Sequence, residues 1–173
     1  EWISSFCELE DPMVVYTSPS LVEKIKEMRG HRKTHIIPTH LNASKMATQF
    51  SKSFWEEQHR LDPEAWLHPS YELYWVWNEK TEWLRQSANL NPFGSDFFAW
   101  IDMGYLRASG FAGIQLVQQL PTAFKKDQIM ILQVEAEPDY LQPETPLEHS
   151  NLNGERCYLG GGFIGGYKSG IEK

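Results

Sequence analysis

The residue best placed to do chemistry in this chain is Asp102. It closes the apolar run Phe97-Phe98-Ala99-Trp100-Ile101 and is followed two positions later by Gly104. Such a run predicts a short strand buried on both faces of an α/β sheet. A carboxylate at the carboxyl end of that strand is delivered to the sheet edge where open α/β folds bind ligands. It should face water, a metal or a ligand there, because an unpaired carboxylate is too costly to bury. The plainer role, capping the turn that Gly104 shapes, stays open on these residues alone.

Lys80 is the second candidate. Residues 70–89 predict a long helix, stopped by Asn91-Pro92 and Gly94. Projection at about 100° per residue places Asn78, Glu79, Glu82, Arg85 and Gln86 on one arc. Leu73, Val76, Trp77, Trp83, Leu84 and Ala88 fall on the opposite arc, and Lys80 lies among them. A lysine on a core-facing arc must snorkel to water or meet an anion. The functional version is an ammonium serving as a point charge for a diphosphate.

The third feature is Leu159-Gly160-Gly161-Gly162-Phe163-Ile164-Gly165-Gly166, which holds five of the twelve glycines. We read it as a loop whose bare backbone allows close approach and whose amides can grip an anion. It matches neither G-x-G-x-x-G nor the G-K-[ST] ending of a P-loop. The alternative is a tight turn with Phe163 and Ile164 packed inward.

Other elements must position these groups. Met13–Thr17 predicts a strand, with Ser20 and Glu23 as a capping box opening a helix that carries Leu21, Val22, Ile25 and Met28. Gly30 ends that helix, and Thr34–Pro38 predicts a second strand, giving a βαβ unit with parallel strands. Residues 43–60 read as a polar helix, 62–69 as a loop, 126–136 as a further buried strand and 137–148 as an exposed Pro-rich, acidic loop. The order β-α-β-α-α-β-β predicts a three-layer α/β fold.

The whole chain, 173 residues at 41% hydrophobic and 23% charged, suits a single globular domain over 1–173. Its 13% aromatic content, with seven Trp, suggests an aromatic core or a groove for sugars, with Trp2, Trp55, Trp66 and Trp75 least clearly buried. A net charge of −7 argues against general nucleic-acid binding. No window approaches the ~18 apolar residues of a membrane span. Cys7 and Cys157 lie too far apart to read as a metal pair. His31, His35, His40, His59, His68 and His149 are scattered without ligand spacing, which ranks a hydrolase low. The sequence opens on Glu1, so we expect a processed start or a piece of a longer protein, with localisation open between cytoplasm and secretory lumen.

Met13-Val14-Val15-Tyr16-Thr17, the Tyr71-x-x-x-Trp75 helix with Lys80, Asn91-Pro92-Phe93, Trp100-Ile101-Asp102-x-Gly104 and Gly160-Gly161-Gly162-Phe163 occur in this order in the YibB/HtrL family. The chain resembles that family over nearly its whole length. The family is regarded as glycosyltransferase-like and related to nucleotide-sugar enzymes of the GT-A fold. The resemblance implies a mostly parallel sheet flanked by helices, lacking the usual first strand and the late C-terminal segments. It implies transfer of a sugar from a nucleoside-diphosphate sugar to a glycan, lipid or protein acceptor. Asp102 then stands where a D-x-D motif holds Mn²⁺ or Mg²⁺, but Met103 and Gly104 follow it and the second carboxylate is absent. Lys80 and Arg107 would contact the diphosphate, and Gly160, Gly161 and Gly162 would lie against the sugar or acceptor. The rival expectation is a carbohydrate- or protein-binding module that keeps the fold without catalysis.

Overall fold

The computed structural model describes residues 2–104, 113–116, 124–133 and 159–173. Arg107, Cys157 and the 137–148 segment lie outside them. In chain order the helices and strands are α1 (Trp2–Cys7), β1 (Met13–Thr17), α2 (Val22–Arg29), β2 (Thr34–Pro38), α3 (Lys45–Gln49), α4 (Lys52–Leu61), α5 (Glu72–Leu90), β3 (Phe97–Ile101), β4 (Ile129–Gln133), β5 (Leu159–Tyr167) and α6 (Lys168–Ile171). No helix among the described residues is long and apolar enough to cross a membrane.

The βαβ unit forms as read. β1 and β2 pair in parallel, from Met13 opposite Thr34 to Thr17 opposite Pro38. Gly30, at φ 55°, ends α2 in a conformation that glycine adopts freely. The capping box does not form: a 3₁₀ turn over Pro19–Leu21 precedes α2, and the Ser20 hydroxyl bonds Ser18 instead. A buried arginine that the apolar pattern did not reveal ties this unit together. Arg29 donates to the carbonyls of Cys7, Leu9 and Asp11 at 2.6 to 2.9 Å and to Thr34 Oγ1 at 2.9 Å. Its guanidinium thereby satisfies backbone acceptors from the chain entering β1, as a buried cation must.

The expectation of one three-layer, mostly parallel sheet is corrected. β1 and β2 form a two-stranded parallel sheet, and β3-β5-β4 form a separate antiparallel sheet. The reason is β5, which is the glycine-rich run read as a loop. Glycine gives a strand no alternating pattern and little intrinsic preference. Tertiary packing imposes the strand: Gly165 lies between Ala99 and Met130, and Gly166 between Phe98 and Ile129. A Cβ on Gly166 would come within 3.0 Å of the Gln128 carbonyl oxygen, so close neighbours require the bare backbone. β4 is not buried on both faces either, since Ile129, Ile131 and Gln133 are exposed in alternation with Met130 and Leu132.

α5 organises the rest. It stops at Asn91, which takes a left-handed conformation at φ 40° and bonds Ser95 through both ends of its amide. Tyr16 of β1 stacks on Trp83 of α5 at 5.3 Å, and Trp83 stacks on Trp100 of β3 at 5.5 Å. This column links β1, α5 and β3, and the core around it includes the buried Leu84 and Ala88. The expected helix over 43–60 is broken at Phe50 and Ser51. Ser44 caps α3 and Ser51 caps α4, each accepting from an amide three residues on.

Candidate functional site

The Trp83–Trp100 stack fixes the site. Trp100 lies across α5 from Tyr16, and its indole Nε1 donates to Asp102 Oδ1 at 2.6 Å. Asp102 is at the carboxyl end of β3, where its amide continues the ladder by donating to the Gly162 carbonyl at 3.0 Å. Lys80 is one turn of α5 before Trp83, on the same buried side. Its Nζ lies 2.8 Å from Asp102 Oδ2 and donates to the Gly161 carbonyl at 3.1 Å. Three residues singled out separately, Lys80, Asp102 and Gly161, are therefore brought together.

The glycine strand makes this junction possible. Between β4 and β5 the register shifts: Ile131 pairs Ile164, but Leu132 pairs Gly160. Gly161, Gly162 and Phe163 fall within that shift, while Phe163 still pairs Ile101 of β3. Released from the β4 register, the Gly161 carbonyl can turn to the ammonium. Gly160 instead sits in the ladder opposite Leu132, away from the Lys80 contact.

The electrostatics are asymmetric. The Lys80 side chain is 7% exposed and that of Asp102 38%. The carboxylate thus presents an acceptor face outward, while its counter-ion is held behind it. An ammonium has three N–H donors, and two have partners among the described residues. Lys80 meets an anion of the protein itself, Asp102, rather than reaching water, and Asp102 takes two side-chain donors where its strand ends.

Among the described residues the donors for the expected Mn²⁺ or Mg²⁺ are few. These hard cations gather about six oxygens. Asp102 offers a single carboxylate, each oxygen of which accepts from one side chain. Among the described residues no group of three or more His, Cys, Asp or Glu is placed to hold a metal.

Two carboxylates assigned to the polar arc of α5 are in fact buried. Glu79, 1% exposed, accepts from the amides of Lys45 and Met46 at the start of α3. Glu82 accepts from Arg85, Lys45 and Gln86, and the Arg85 guanidinium above all holds its pKa down at about 2 against the opposing effect of burial. Trp77, placed on the apolar arc, is exposed. The Ser44 cap was the available signal, since it marks a helix start that must dock somewhere.

A second constellation was missed because its members are separated in sequence. Asp62 Oδ2 receives the Tyr74 hydroxyl at 2.5 Å and lies 2.8 Å from His68 Nδ1, while Asp62 Oδ1 accepts the Glu64 amide. Burial and the Asp62 carboxylate push the Tyr74 pKa up to about 12. This knot braces a 3₁₀ turn, Ala65–Leu67, on which Trp66 stands 82% exposed. Of the other tryptophans in question, Trp55 is buried and Trp75 half-buried.

The fold and site define a mixed α/β protein with a lysine–aspartate pair at a strand end. The chain belongs to the HtrL_YibB family, described as "Bacterial protein of unknown function (HtrL_YibB)", which it matches over residues 1–173. It is similar to Protein HtrL of Escherichia coli (strain K12), with 27% identity over 104 residues, covering 56% of this chain and 36% of that protein. The match thus spans about a third of that relative's length. No solved structure matches the chain.

Proposed function

We propose that this chain is the donor-binding part of a glycosyltransferase on a GT-A-related fold, taking its sugar from a nucleoside-diphosphate sugar. The observation that carries the reading is the Lys80–Asp102 pair, 2.8 Å apart at the end of β3, beside the bare backbone of Gly161. A half-exposed carboxylate accepts hydrogen bonds from vicinal hydroxyls, the groups that a ribose or a donor sugar offers. The ammonium behind it offsets its charge, so that a diphosphate is not repelled, and its third N–H can meet the charge that grows on the leaving group. In the step itself the acceptor hydroxyl oxygen bonds the anomeric carbon and its proton passes to a base. The bond from that carbon to the diphosphate breaks, and its electron pair leaves with the nucleoside diphosphate. Arg107, five residues beyond Asp102, is a further candidate for the phosphates.

The test is Asp102→Asn, which keeps shape and a hydrogen-bonding oxygen while removing the charge. Release of nucleoside diphosphate from the productive donor should fall at least ~100-fold when assayed well below the unfolding midpoint, which itself falls because Lys80 loses its counter-ion. Retained turnover would count against the assignment.

One observation favours a non-catalytic carbohydrate- or protein-binding module instead. Trp66 is held outward on a turn braced by Asp62, His68 and Tyr74, and a rigid exposed indole can stack on a sugar ring. A nucleotide requirement separates the two readings, because such a module has no need of one.

A further inference from the structure

We propose that Lys80 is the resident cation of this site: its ammonium holds the place on Asp102 that a divalent metal would need, so the site works without one. The ligand in this inference is the nucleoside diphosphate proposed above, whereas the statement about the cation stands on the geometry of the pair.

Each carboxylate oxygen of Asp102 already takes one side-chain donor. Asp102 Oδ2 is 2.8 Å from Lys80 Nζ, and Oδ1 accepts from Trp100 Nε1 at 2.6 Å. The next two residues, Met103 and Gly104, bring no second carboxylate. The remaining acids on this part of α5 are held elsewhere. Glu79 accepts from the α3 amides, and Glu82 is forked by Arg85. Neither can swing to complete a coordination sphere without abandoning these partners.

Displacing the lysine is the other route, and it is disfavoured twice. A metal on Oδ2 would leave an ammonium 7% exposed, with the Gly161 carbonyl as its remaining partner among the described residues. A buried charge stripped of its counter-ion is strongly destabilising. The metal would also stand close to that ammonium, cation against cation, in a partly desolvated place where the repulsion is poorly screened. Lys80 meanwhile supplies fixed positive charge, orientation from two hydrogen bonds and a third N–H with no partner among the described residues. Asp102 acts on the phosphates through Lys80, as its positioning residue, while its outward face addresses hydroxyls.

The experiment has two arms on the same protein. In the first, Mn²⁺ alone is titrated into the wild type and Asp102→Asn, with free Mn²⁺ read by electron paramagnetic resonance. In the second, UDP, GDP and CMP are titrated calorimetrically with excess chelator and then with Mn²⁺. The inference expects superimposable Mn²⁺ titrations of the two proteins and a nucleotide affinity that differs less than twofold between chelator and Mn²⁺. Mn²⁺ retained by the wild type and lost in Asp102→Asn would overturn it, as would a nucleotide that binds only with Mn²⁺ present. The second of these would still leave the nucleotide reading standing. Nucleotides that fail in both conditions, with the Mn²⁺ titrations superimposed, would overturn the donor reading and support the cation statement.

Discussion

The Trp100 indole donates to Asp102 Oδ1 from a ring whose face is stacked on Trp83. One side chain thus joins the aromatic column of the core to the carboxylate of the site. The carboxylate is aimed by Trp100 at one oxygen and by Lys80 at the other. Trp100→Phe keeps a ring on Trp83 and removes the donor. We expect a stability loss of about 1.5–3 kcal/mol by urea denaturation, the range for a hydrogen bond to a charged group. The nucleotide affinity should fall as well, because one oxygen of Asp102 is then free to rotate away.

Acid should test the buried Glu82 beside the site. The folded-state pKa of Glu82, about 2, lies below its ordinary value of 4.5. Its contribution is therefore complete above that ordinary value and lost as pH falls towards about 2. The shift corresponds to at most about 3 kcal/mol, less in practice because Arg85 is solvent-exposed. Glu82→Gln should be less stable than the wild type at neutral pH, and the gap should close between about pH 4.5 and 2 in urea titrations.

Alkali should release the turn that carries Trp66. Tyr74 is raised from 10 to about 12, so the folded state holds that proton more tightly than the unfolded one. The stabilisation is present below about pH 10 and fades as pH rises towards about 12. Tyr74→Phe should lack this alkaline loss. It should also speed proteolysis within residues 62–69 at neutral pH, as the brace on Asp62 is gone.

The glycines of the run and its flank divide into two kinds. A Cβ on Gly170 would stand 2.9 Å from the Gln128 carbonyl oxygen and 3.2 Å from that of Lys126, with only backbone to yield. Gly170→Ala should cost about 1–3 kcal/mol, the usual price of overpacking. At Gly161 the nearest atom is Lys80 Nζ at 3.6 Å, an ordinary contact. Gly161→Ala should change stability by less than about 0.5 kcal/mol and still weaken the nucleotide, which would meet the added methyl.

Much of the frame was legible because it rests on local pattern. β1, β2, α5 and β3 announce themselves through apolar runs, and Gly30 and Asn91 mark the ends of α2 and α5. Lys80 stood out as a charge on an apolar arc, and Asp102 as a charge at the end of an apolar run. What the pattern could not hold was pairing at a distance. β5 has no side-chain alternation to read, and its place between β3 and β4 comes from neighbours some 30 to 70 residues away in sequence. Glu79 looked solvated because its partners are backbone amides of α3, which carry no residue-type signature. Arg29 was hidden for the same reason, as it is satisfied mostly by carbonyls. Asp62, His68 and Tyr74 meet only when the chain folds back onto the start of α5.

The most direct test is thermal unfolding of the wild type and Asp102→Asn against UDP, GDP, CMP and their sugars. A ligand at ~100 times its dissociation constant should add about 2.7 kcal/mol, or several degrees of midpoint. We predict that one nucleotide series shifts the wild type by that amount, that its sugar shifts it further, and that Asp102→Asn loses both shifts. Equal shifts in the two proteins, or none with any nucleotide, would contradict a donor site built on Lys80 and Asp102.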